Sequence, residues 1–167
     1  MRIPLLAVLL LAIATVARAD GGFRLSSQDF NAGGFIPAQF TADGANVPPR
    51  LKFAGVPAGT RSLALIVEDP DAPSGTFTHW IIWNIPPGAK SVTGGEGTEG
   101  ANDFGGEGYG GPQPPSGTHR YFFRLSALDT VLQIPPGATR KELETAMKGH
   151  GIATAELMGR YSARGSH

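Results

Sequence analysis

The chain contains no cysteine in 167 residues. That absence excludes a thiol nucleophile and cysteine-ligated zinc, and a domain placed in an oxidising compartment must hold together by packing alone, without disulfides. Charge is scarce as well: only 17% of residues are Asp, Glu, Lys or Arg, with 14 basic against 14 acidic. Such a balance leaves no basic footprint for nucleic acid or an anionic membrane. Long hydrophobic runs are missing too, apart from Leu5 to Ala14, which is too short for a bilayer span of about 20 residues.

That one run has another reading. Arg2 precedes it, and Ala17-Arg18-Ala19 follows with the small-x-small form of a signal-peptidase site. Residues 1–19 are therefore expected to be a leader cleaved after Ala19, and the protein to be exported, with a bacterial periplasm as its destination. The remainder, 20–167, has the length of one domain, and losing Arg2 and Arg18 tilts it slightly acidic. No stable membrane insertion is expected of it.

Glycine and proline are plentiful, at 24 and 14 residues. They punctuate short apolar runs without forming repeats, which predicts a mainly β domain with long ordered loops. Candidate strands lie at Phe23–Ser26, Phe35–Phe40 and Leu51–Phe53, supplying sheet edge and cover. From Pro86 to Pro115 a loop is expected throughout, and loops of that length tend to be functional or disordered. Gly95–Gly100 and Gly106–Gly111 each match G-x-G-x-x-G, but neither follows a clear strand and opens a helix, so a dinucleotide site is rejected.

The stretch from Leu63 to Trp80 organises the rest. Leu63 to Val67 is an unbroken apolar run, as expected of a strand covered on both faces. It ends in three acids, Glu68, Asp69 and Asp71, stiffened by Pro70 and Pro73. An alternating segment follows, in which period two places Phe77, His79, Ile81 and Trp83 on one face. Two strands joined by this acidic turn bring Asp69, Asp71 and His79 to one end of a sheet. A second histidine, His119, opens another strand after a proline-stiffened loop, with Tyr121, Phe123 and Leu125 on its face and Arg120, Phe122 and Arg124 opposite.

Asp69-Pro70-Asp71-Ala72-Pro73, Thr78-His79-Trp80 and Gly111-Pro112-Gln113-Pro114-Pro115-Ser116-Gly117-Thr118-His119-Arg120-Tyr121 together resemble the phosphatidylethanolamine-binding protein family. The likeness is nearest to its bacterial, Raf kinase inhibitor-like branch and covers essentially all of 20–167. It implies an antiparallel β-sandwich with a large central sheet, a smaller second sheet and one or two short helices near the C-terminus. It also implies an anion pocket at one end of the large sheet, mapped onto Asp69, Asp71, His79, Gly110 or Gly111, His119 and Tyr121, with Pro73, Trp80 and Pro112 as walls. Gln113 departs from the cysteine that many bacterial members carry. Bacterial relatives further imply a homodimer.

Carboxylates repel phosphate, so Asp69 and Asp71 call for other roles: one can fix a histidine tautomer, and the other can face a ligand ammonium. Imidazole, the Tyr121 hydroxyl and free backbone N–H groups at Gly110 and Gly111 would then hold the phosphate. A small phosphorylated or zwitterionic ligand of the phosphoethanolamine kind suits such a site. Two other classes stay open. Asp and His could serve a metal-dependent hydrolase, or His79 with Asp71 could activate Ser116, although neither H-E-x-x-H nor G-x-S-x-G is present. The family resemblance also implies protein-directed inhibitors of kinases or peptidases. Each motif alone has a structural explanation, with the acids capping a turn, the histidines in a core and Trp80 and Trp83 as packing. Read together, they predict a non-catalytic binding protein with no cofactor and no metal.

Towards the C-terminus, Thr139 and Glu142 form a predicted capping box for a short helix bearing Leu143 and Met147 on one face and ending at Gly149. His150, just past it, is expected to be solvated. Alternation from Ala153 to Tyr161 predicts a last strand.

Overall fold

The computed structural model describes residues 22–165; the leader expected over 1–19 lies outside them, as do residues 166 and 167. The described strands are β1 (Arg24–Ser27), β2 (Leu51–Ala54), β3 (Ser62–Asp69), β4 (Phe77–Ile85), β5 (Ser91–Val92), β6 (Thr98–Glu99), β7 (Thr118–Leu128) and β8 (Gly151–Ser162), with helix α1 (Arg140–Met147) between the last two. They form two antiparallel sheets, a small one in the order β1-β2-β5 and a large one in the order β6-β4-β3-β7-β8. This is the mainly β sandwich that the sequence predicts.

The apolar run of β3 explains its central place. Leu63, Leu65 and Val67 pack toward the small sheet with Leu25, Leu51, Phe53 and Val92. Ala64 and Ile66 turn the other way, toward Leu132, Ala138 and Leu143. A strand needing cover on both faces thus has the small sheet on one side and α1 with its approach segment on the other. The helix carries the predicted capping box: Glu142 N donates to Thr139 Oγ1 at 3.3 Å, and Thr139 N donates to Glu142 Oε2 at 2.7 Å.

Three expectations need correction. Phe35–Phe40 is not a strand; Phe35 makes one bridge to Arg160 and Ala38–Phe40 is a 3₁₀ turn, because Pro37 supplies no N–H to a ladder. The region 86–115 is not loop throughout, since β5 and β6 form there as two-residue strands. The third concerns the face of His79. Val67 pairs with Trp80 but Glu68 pairs with Thr78, so His79 is the extra residue of a β-bulge. The bulge interrupts period two. His79 therefore joins the inner face of Trp80 and Ile82, while Ile81 and Trp83 pack toward α1.

Candidate functional site

The three acids at the end of β3 meet three different fates. Glu68 is buried on the outer side of the large sheet, ion-paired to Arg124 of β7 and Arg140 of α1. Asp69 points inward, and its Oδ2 lies 2.6 Å from Nδ1 of the buried His119. Its Oδ1 accepts the Asp71 backbone N–H at 2.8 Å, which fixes the turn. Asp71 turns outward to a two-pronged contact with the Arg120 guanidinium at 2.8 and 2.9 Å, and accepts Arg120 N as well. That guanidinium holds the Asp71 carboxyl down at about 2.

His79 is fixed differently. Its Nδ1–H donates to the Gly110 carbonyl at 2.7 Å, and Gly110 N donates back to the His79 carbonyl at 2.9 Å. Rings of Phe77, Phe104 and Tyr121 surround it at centroid distances of 5.1, 5.3 and 5.2 Å. Burial pushes its pKa down, more than the Gly110 bond and the Asp69 charge push it up. At neutral pH this imidazole is uncharged, with Nδ1 protonated and Nε2 left as an acceptor. On the other ring, the Asp69 carboxylate holds Nδ1 of His119, so Nε2 is again the nitrogen left for a ligand.

Both histidines line one cleft of about 190 Å³, together with Asp69, Pro73, Ser74, Phe104 and Gln113. Other residues expected there are placed elsewhere. Asp71 does not line this cleft and pairs with Arg120 instead. The N–H groups of Gly110 and Gly111 are not free, because Gly111 N donates to Asn46 Oδ1 at 2.8 Å and Gly110 N is spent on His79. Trp80 lies in the inter-sheet core, edge-on to Tyr109 at 5.5 Å with Nε1 bonded to Glu99. Pro112 is buried and its carbonyl accepts Ala42 N at 3.0 Å. Tyr121 stands behind His79, 1% exposed, and its hydroxyl has no hydrogen-bond partner among the described residues. An unpaired buried hydroxyl costs about 1–3 kcal/mol. Tyr121→Phe is expected to stabilise the protein by about 1 kcal/mol in urea denaturation while leaving phosphate affinity within twofold. A tenfold loss of affinity would show instead that this hydroxyl reaches the ligand.

The family model for phosphatidylethanolamine-binding protein matches residues 26–162, which takes in the large sheet and the cleft. The chain belongs to this family. A UPF0098 protein of Methanothermobacter thermautotrophicus is 49% identical over 146 residues, covering 82% of this chain and 97% of its own. One from Pyrococcus abyssi is 44% identical across 97% of this chain and 98% of its own. Among solved structures, a phosphatidylethanolamine-binding protein homolog of Chlamydia trachomatis superposes with a TM-score of 0.81 at 42% identity, over 84% of this chain and 97% of that one. E. coli YbcL, described as a member of the mammalian family, gives 0.79 at 30% identity, over 85% and 99%.

In this phosphatidylethanolamine-binding family member, sequence reasoning passed over Ser74, Phe77 and Phe104 as cleft residues. Phe104 had a weak signal, as one of two aromatics, with Tyr109, in a glycine-rich loop. Its position is set by Asp103, whose Oδ2 accepts Thr78 N at 2.6 Å and whose N donates to Thr78 O at 2.9 Å. Those bonds staple the loop to β4 and lay Phe104 across Phe77 and His79. His150 lies apart, half-buried and paired with Asp129 at 2.8 Å.

Proposed function

We propose that the cleft binds a small phosphate-bearing headgroup of the phosphoethanolamine kind, in an exported protein that catalyses nothing. The observation that carries this reading is the pair of imidazoles in one cleft, each with Nδ1 committed and Nε2 open. The Asp69 carboxylate holds His119 Nδ1, so Nε2 is the nitrogen that would meet the phosphate. Neutral His79 offers an Nε2 lone pair that can accept from the ligand ammonium. That assignment gives His79 the role the sequence left to one of the two aspartates. The matched family's name supports it. Ser74 is the hydroxyl in the cleft, and among the described residues no hydrogen bond joins it to either imidazole, so the nucleophile–base contact of acyl transfer is not in place.

Histidine-observed NMR titration tests the reading. Inorganic phosphate and phosphoethanolamine are each expected to shift His79 and His119 saturably while His150 stays fixed; if neither ligand moves either ring, the proposal fails. A matched pair of monoesters is a sharper test. At pH 7.5, where burial keeps His79 neutral, phosphoethanolamine is expected to bind more tightly than ethyl phosphate, a monoester that lacks the ammonium. Both are monoesters held by the same phosphate contacts, so the difference isolates the ammonium contact. Equal affinity of the two monoesters at pH 7.5 removes His79 from that role. Stability follows the same ring: its folded pKa is depressed, so the stabilisation is complete above about 6.5 and declines as pH falls from there toward the folded value.

A further inference from the structure

The outer face of the small sheet holds a cavity of about 540 Å³ that shares no lining residue with the cleft. Its charge is all of one sign. Arg24 of β1, Lys52 of β2 and Lys90 at the entry to β5 line it, and no Asp or Glu does. Arg50, Arg120, Arg124, Arg140 and Arg164 each pair with a carboxylate, whereas none of these three cations does among the described residues. Period two explains how they come to share a face: Leu25, Leu51 and Phe53 turn into the core, which leaves Arg24, Ser26 and Lys52 outward. Register then sets the row. Lys52 is the cross-strand partner of both Ser26 and Ser91, and Arg24, two positions from Ser26, is diagonal to Lys52. Diagonal neighbours stand about 7–8 Å apart. Unpaired cations at that spacing repel one another, yet a chain with as many acids as bases places no acid among them. An anion supplied from outside would remove the repulsion.

We propose that this cavity binds a compact, soluble polyanion of the oligophosphate class, spread across Arg24, Lys52 and Lys90, with the Ser26 and Ser91 hydroxyls beside it. A single phosphate bridges two cations at the diagonal spacing, and a third cation from the far strand calls for a second anionic group. Compactness follows from the charge balance. Because the chain carries no excess of positive charge, an extended anionic surface meets as much repulsion as attraction, while a small ion engages the cavity alone. All three cations are exposed, so salt screens the attraction. The inference does not depend on the headgroup reading.

Calorimetric titration of the full chain from 20 to 167 with inorganic triphosphate and with orthophosphate, at about 50 mM salt, tests this. Triphosphate is expected to bind about tenfold more tightly, the worth of two further solvent-exposed charge contacts. That advantage should vanish at about 500 mM salt, where the screening length is about 4 Å. Lys52→Glu sets a carboxylate between the other two cations and should weaken triphosphate by about tenfold or more, while Lys52→Arg stays within about twofold of the unmodified protein. Ser74→Asp instead adds a negative charge to the cleft, from an exposed residue of its lining, and should leave triphosphate affinity unchanged. Equal affinity for the two anions overturns the proposal. So does a Lys52→Glu protein that binds triphosphate normally, or a loss that appears in Ser74→Asp and not in Lys52→Glu. Sedimentation with phosphatidylglycerol vesicles that Lys52→Glu prevents, in a protein that does not bind triphosphate, also overturns it and assigns the face to an anionic membrane.

Discussion

Asp69→Ala is expected to abolish phosphoethanolamine binding and to cost about 3 kcal/mol of stability, the magnitude of stripping a buried charged hydrogen-bond partner. The carboxylate is 3% exposed and serves two donors at once, the His119 imidazole at 2.6 Å and the Asp71 backbone N–H at 2.8 Å. Removing it leaves both without an acceptor, frees the His119 ring to rotate and loosens the acidic turn. For a domain of this size, about 3 kcal/mol lowers the thermal midpoint by roughly 6–12 °C. Asp69→Asn separates shape from charge: it keeps an acceptor oxygen, so most of the stability returns while binding stays weak. Asp71→Ala is the comparison. Arg120 draws the Asp71 carboxyl down to about 2, yet Arg120 is 53% exposed, and solvent-facing pairs contribute only about 0–1 kcal/mol. The Asp71 contribution is complete above its ordinary value of 3.8 and fades as pH falls toward about 2. Scanning calorimetry with titration on the three variants decides the matter. An Asp69→Ala protein that binds normally, or that loses no more stability than Asp71→Ala, would falsify the division of labour between these two carboxylates.

That division was only half legible in the sequence. Proline-stiffened acids followed by a strand with a histidine place Asp69, Asp71 and His79 at one sheet end, because strand direction and turn length fix that much. Which acid turns inward depends on Arg120, one position beyond His119 on the opposite face of β7, and side-chain periodicity within a single strand does not report a partner 49 residues away. His79 was assigned the wrong face for a related reason: a bulge is a property of two paired strands, and the extra residue becomes visible only when Val67 and Glu68 are seen opposite Trp80 and Thr78. Local signals fared better. The capping box at Thr139, the period-two face of β7 and the last strand all depend on neighbours in sequence, and they appear as expected. The spare N–H groups assigned to Gly110 and Gly111 failed because Asn46, 65 positions earlier, takes one and the His79 carbonyl takes the other.

The glycine string Gly95–Gly100 has no phosphate to cradle, and its glycines differ in what they do. Gly97 immediately precedes β6, the edge strand paired to β4 through Thr98 and Trp83. A Cβ at Gly97 would overlap the Trp83 carbonyl oxygen and come within 3.1 and 3.2 Å of Ile82 Cγ1 and Ile85 Cγ1. The carbonyl is backbone in a central sheet and cannot swing aside as a side-chain tip could. Gly97→Ala should therefore push β6 off β4, strip Glu99 from the Trp80 indole it accepts from at 3.3 Å, and cost about 3 kcal/mol, the upper part of the range for overpacking. Gly95 is a glycine for a different reason: φ is +88° with nothing within 4 Å of an added Cβ. Gly95→Ala thus suffers only left-handed strain, about 1–2 kcal/mol. Gly88 has neither constraint, and Gly88→Ala is expected to be neutral or to stabilise by up to about 1 kcal/mol through the unfolded chain. Urea denaturation of the three alanine variants, followed by tryptophan fluorescence, gives the order directly. Should Gly97→Ala lie within 1 kcal/mol of the unsubstituted protein, β6 is free to shift and close packing at Trp83 is not what makes position 97 glycine.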